Sequence, residues 1–183
     1  MFVIESNCTS ESLTLKRVIS APVDRVYQAW VEPQKLAKWF GCSQTKRVEA
    51  ELDFRVGGKY TIKMFVELAD QNKDNETELQ SKEGGAKTAC QSEGSAQQNC
   101  IVNTVKGEYL EIEPSRKIVF TWTNNFPEFP ADNTLVTVQF KALGGKTELT
   151  LTHSRFLSEK SVEAHSFGWT ATLEKLAESD FAA

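Results

Sequence analysis

Basic excess, long apolar runs, histidine and paired cysteine are all scarce in this 183-residue sequence. Lysine and arginine total 21 against 25 acidic residues, a net charge of −4. That balance argues against a general binder of nucleic acid or of anionic membranes. No stretch approaches the roughly 18 apolar residues of a membrane span. Residues 1–6 lack a basic region and a long apolar region, so no signal peptide is expected. The four cysteines, Cys8, Cys42, Cys90 and Cys100, form no CxxC, a spacing that suits reduced thiols and a cytoplasmic location. With only His153 and His165, and no HExxH, there is no metal signature. No G-x-S-x-G elbow occurs either. No cofactor is expected.

What is present reads as one globular core. Hydrophobic residues make up 40% and charged ones 25%, close to the average for folded domains. A short leader over residues 1–12 precedes a single domain over 13–183. Between about residues 69 and 100, Gln, Asn, Ser, Lys, Glu and Gly dominate, the composition of a long polar insertion that buries too little to order itself. Cys90 and Cys100 would close a short loop there if oxidised.

Residues 13–19 alternate as a first strand. Pro22 then opens a helix with Val23, Val26, Tyr27 and Trp30 on one face, and Pro33 opens a second, short helix ending at Trp39-Phe40-Gly41. Strands follow over 48–52, 60–64, 104–112, 117–123, 134–141 and 147–154. Gly144-Gly145-Lys146-Thr147 mimics the end of a phosphate loop, but Phe140 stands where that motif needs glycine. As a hairpin turn it pairs Phe140 with Leu149, Val138 with Leu151 and Val136 with His153, an apolar face. Lys141–Glu148, Gln139–Thr150 and Thr137–Thr152 then form a polar face. A final helix over 159–179 carries Val162, Ser166, Trp169, Leu173, Leu176 and Ala177 as one stripe.

Four segments carry a family likeness: Ala21-Pro22 through Ala29-Trp30 with Trp39-Phe40-Gly41; Leu52 through Gly57-Gly58-Lys59-Tyr60; Gly107-Glu108-Tyr109-Leu110-Glu111-Ile112 with Thr121-Trp122; and His165-Ser166-Phe167-Gly168-Trp169. In this order the chain resembles the SRPBCC (START/Bet v 1-like) superfamily and, within it, the family named for the C-terminal domain of the activator of Hsp90 ATPase. The resemblance implies an α+β helix-grip fold. A curved antiparallel sheet wraps a long C-terminal helix, two short helices follow the first strand, and a cavity lies between sheet and helix. Superfamily members bind apolar molecules such as sterols, lipids or polyketides, and some cyclise or dehydrate polyketides.

On that basis the ligand-binding candidates are Trp39, Phe40, Tyr60, Met64, Tyr109, Phe120, Trp122, His153, His165 and Trp169. Gly168 would let another group approach the helix. An empty pocket of about 300 Å³ would cost roughly 7 kcal/mol, so side chains, water or a guest must occupy the space. The leading expectation is a small hydrophobic or aromatic ligand, in a binding protein more than a catalyst. One alternative is a polyketide cyclase/dehydratase-like enzyme using histidine as acid–base. The other is an Hsp90-type chaperone partner, for which residues 1–12 offer no additional N-terminal domain.

Overall fold

The computed structural model describes residues 5–67 and 100–181. The elements run β1 (Glu5–Cys8), β2 (Ser12–Ile19), α1 (Val23–Val31), α2 (Pro33–Trp39), β3 (Thr45–Leu52) and β4 (Lys59–Glu67). Then come β5 (Cys100–Glu113), β6 (Lys117–Asn124), β7 (Thr134–Leu143), β8 (Lys146–Ser154) and α3 (Glu159–Glu178). The expected polar insertion and the Cys90–Cys100 pairing lie outside the described residues, apart from Cys100 itself, which begins β5.

The strands make one eight-stranded antiparallel sheet in the order β1-β2-β8-β7-β6-β5-β4-β3. The helices pack on one face of it, α3 against β2 and α1 against β7 and β8. This is the helix-grip α+β arrangement. The register on β7 and β8 is Val136↔His153, Val138↔Leu151 and Phe140↔Leu149, with all six side chains buried. Gly144 and Gly145, at φ 54° and 83°, supply the two positive values a tight hairpin turn requires.

β1 departs from the expected leader. It pairs with β2 from Glu5↔Lys16 to Cys8↔Leu13, yet all four of its side chains are exposed. An edge strand with neither face buried carries no apolar alternation, and so leaves no period in the sequence.

The start of α3 is set locally: Ser158 caps it by accepting from Ser161 N–H at 3.2 Å. Its buried side is Ser161, Val162, His165, Trp169, Thr172, Leu173 and Leu176. Ser166 and Ala177, placed in the stripe from spacing, are only half-buried. The seam is rotated toward His165, because that imidazole finds partners inside whereas Ser166 bonds Cys8 near the surface.

β5 holds a bulge between Tyr109 and Glu111. Tyr109 turns inward and Leu110 faces solvent. The Gly57-Gly58 turn grips this point through Gly57 N–H to Tyr109 C=O at 2.8 Å and Tyr109 N–H to Gly58 C=O at 2.9 Å.

Candidate functional site

Two polar chains stitch α3 to the sheet. Trp169 Nε1–H can only donate, so it fixes His153 Nδ1, 3.1 Å away, as the acceptor. The neutral ring then carries its proton on Nε2, donating to Thr134 Oγ1 at 2.8 Å. The threonine hydroxyl in turn donates to Trp122 C=O at 2.9 Å. Helix α3 is thus tied through β8 and β7 to β6.

The second chain runs from His165. Its Nδ1–H donates to Ser161 C=O at 2.7 Å, which leaves Nε2 to accept from Asn124 Nδ2 at 3.0 Å. Asn124 is oriented by Phe126 and Ala131 N–H, both 3.2 Å from its Oδ1, and it also donates to Phe129 C=O at 3.2 Å. Every hydrogen-bonding position on both imidazoles is therefore filled. Their ring centroids lie 5.2 Å apart. Burial, with a smaller contribution from neighbouring His165, holds the His153 pKa well below its ordinary value. Burial also lowers that of His165, against the Ser161 carbonyl, which raises it.

The cavity lies beside this seam and not, as expected, between the sheet and α3: the sheet and the two short helices line it, and no α3 side chain does. α1 supplies Trp30, α2 Leu36 and its C-cap Phe40; β4 supplies Tyr60 and Ile62; β5 supplies Tyr109; β6 supplies Ile118, Phe120 and Trp122. The rings pack edge to face, with Tyr60–Phe120 at 5.5 Å and Tyr109–Phe120 at 6.1 Å between centroids. They leave about 20 Å³ in which the centre of a water molecule can move, room for about one water.

Tyr60 is placed by an absence. It sits opposite Gly107 on β5, and its hydroxyl reaches across that strand to donate to Thr121 C=O at 2.8 Å. A Cβ on Gly107 would lie 1.9 Å from that same oxygen and 2.8 Å from the Tyr60 ring. Burial raises the pKa of both Tyr60 and Tyr109, so both phenols stay neutral.

The tryptophans divide into two kinds. Trp39 Nε1–H donates to Ala29 C=O at 3.0 Å and Trp169 to His153. Trp30 and Trp122, 4% and 5% exposed, line the cavity, and neither indole N–H has a partner. Among the described residues the only other buried side-chain nitrogen or oxygen without a partner is Arg17 Nε on β2, which is not part of this lining. Magnitudes rank these features. An empty 20 Å³ costs only about 0.5 kcal/mol at ~24 cal/mol per Å³. Each buried N–H left unpaired costs about 1–3 kcal/mol. The unmet donors, not the void, are the energetic feature of the site.

Of the candidates read from the sequence, Phe40, Tyr60, Tyr109, Phe120 and Trp122 line the cavity; Trp39, Met64, His153, His165 and Trp169 do not. Those five are buried as well, with Trp169 touching the site's edge at 5.0 Å from Trp122 and 5.9 Å from Phe40 between centroids. Trp30, Leu36, Ile62 and Ile118 complete the lining. Ile62 and Ile118 were legible as strand-mates of Tyr60 and Phe120; Trp30 read only as a helix-face residue, and Leu36 gave no signal within the second helix. Gly168 accommodates nothing: a Cβ there would have no neighbour within 4 Å. Among the described residues no cluster of three or more His, Cys, Asp or Glu could hold a metal, and no helix is long and apolar enough to cross a membrane.

Residues 20–77 and 71–179 match the family model described as activator of Hsp90 ATPase homolog 1-like protein. The chain belongs to that family. Solved structures share this fold. Protein CV1439 from Chromobacterium violaceum is 23% identical, with a TM-score of 0.63, covering 92% of this chain and 96% of its own. A protein from Arthrobacter aurescens is 19% identical, with a TM-score of 0.63 and coverages of 97% and 92%. CalU16 from Micromonospora echinospora is 19% identical, with a TM-score of 0.56 and coverages of 97% and 83%. At these identities the likeness is one of fold. No curated protein matches the chain.

Proposed function

We propose that this chain binds a small apolar or aromatic molecule in the cavity between the sheet and helices α1 and α2. The observation that carries the reading is the lining itself. Nine side chains from five elements, all aliphatic or aromatic, converge on one interior point with no charged group among them. A guest larger than a water enters by displacing rings. The wall best suited to move is α2, seven residues long and joined to α1 through the single extended residue Glu32. Leu36 rides on it and Phe40 caps its C-terminal end.

The filled imidazoles favour binding over turnover. General acid–base catalysis needs a ring nitrogen free to exchange a proton with substrate, and both nitrogens of His153 and of His165 are engaged within the protein. An Hsp90-type partner rests on the family description alone; an ATPase assay with purified Hsp90 tests it. The free thiols of Cys8 and Cys42 fit a cytoplasmic location.

The test is a two-dimensional NMR titration with small aromatic hydrocarbons. Saturable shifts at Ile62, Ile118 and Trp122 are expected. Shifts confined to surface residues with every compound would end the proposal.

A further inference from the structure

Resting on that binding reading, we infer that the guest is uncharged and presents a hydrogen-bond-accepting oxygen to the indole N–H groups of Trp30 and Trp122. The four tryptophans make the argument. Trp39 and Trp169 each meet an acceptor inside the protein. The two that do not are both walls of the cavity, and both are more than nine-tenths buried. Buried indole N–H groups ordinarily find partners.

The remaining polar atoms of the lining are the phenols of Tyr60 and Tyr109. Burial keeps both neutral, and the Tyr60 proton is already committed to Thr121 C=O. The cavity wall therefore carries two unpaired N–H donors and no carboxylate, basic side chain or imidazole. The rings of His153 and His165 lie 5.5 and 6.2 Å from that of Trp122, outside the lining, with all their nitrogens already engaged. An oxygen of carbonyl or ether type satisfies such donors. A carboxylate would have to leave water with no cation to meet it, which opposes anions. A hydrocarbon of the same shape leaves the donors as they are.

Three probes of one shape separate these outcomes: acetophenone, α-methylstyrene, in which C=CH₂ replaces C=O, and benzoate. Binding is followed by the four indole N–H resonances, assigned by single Trp→Phe variants. Acetophenone is expected to bind about tenfold more tightly than α-methylstyrene. It should shift the Trp30 and Trp122 indole signals downfield while those of Trp39 and Trp169 move little. Benzoate should bind more weakly than acetophenone, and Trp122→Phe should shrink the ketone-to-alkene ratio. Equal affinity for ketone and alkene would overturn the acceptor inference and leave the apolar-cavity reading standing. Benzoate matching acetophenone would overturn the uncharged requirement. No saturable binding of any of the three would bring down both readings together.

Discussion

The two sides of this core are built from the same residue types and resolve their polar atoms in opposite ways. Along α3, Trp169, His153, Thr134, Asn124 and His165 form chains in which each buried donor has an acceptor. Across the rings at the α1–α2 side, Trp30 and Trp122 are as deeply buried and have none. Trp122 stands on the boundary, its carbonyl closing the His153 chain while its indole faces the cavity side. A network closed within the chain fixes structure; donors left open inside are a standing cost that an incoming group can remove. The seam holds the fold, and the unsatisfied side is where the proposed guest would bind.

The severest way to break this contrast is His153→Ala. It strands the Trp169 N–H in the core and opens a cavity, so a loss of about 3–5 kcal/mol is expected in urea denaturation. A loss below about 1 kcal/mol would mean the seam is not structural.

Acid probes the same side. Both imidazoles have depressed folded-state pKa values, so the unfolded chain takes up protons that the folded chain refuses. Stability is then full above the unfolded value near 6.5 and falls as pH drops below it, until the folded values are reached. Each histidine contributes about 1.4 kcal/mol per pH unit over that window. Urea midpoints compared at pH 7.5 and 5 should show the fall, and His165→Gln should flatten it. A flat profile would contradict neutral, buried imidazoles.

Trp169→Phe against Trp30→Phe sharpens the comparison further, because both lose the same ring area. Only the first leaves His153 Nδ1 without its donor. It should cost about 1–3 kcal/mol more, and equal costs would erase the distinction between the two sides. The smallest effect is expected on the open face of α3. Gly168→Ala places a Cβ in empty space and should raise stability by about 0.5–1 kcal/mol by thermal denaturation. A loss there would reveal a neighbour on that face.

Much of the architecture is legible in the sequence. The pairing of Val136 with His153 through Phe140 with Leu149 follows from a two-residue turn and a period of two, and both are local. Alternation likewise puts Tyr60, Ile62 and Met64 of β4, and Ile118, Phe120 and Trp122 of β6, on one inward face each, and all six are buried. The cavity lining was half legible: Tyr60, Phe120 and Trp122 are readable from alternation, and Phe40 and Tyr109 from the family likeness. Trp30 and Leu36 gave no such sign, because a helix-face residue that lines a hollow has the same spacing as one that fills a core. β1 escaped for the reverse reason, pairing without burying a side chain.

Element order, the β7–β8 register, the limits of the helices and the inward side of His153 were determined by the sequence itself, since alternation, prolines and paired glycines act over a few residues; the burial of His165 was not. Only the tertiary structure decided that His153 and His165 are saturated while Trp30 and Trp122 are not. Hydrogen-bond partners here are drawn from strands and helices far apart in the chain: Asn124 reaches His165 and Trp169 reaches His153. No local pattern records which donor will be left without one.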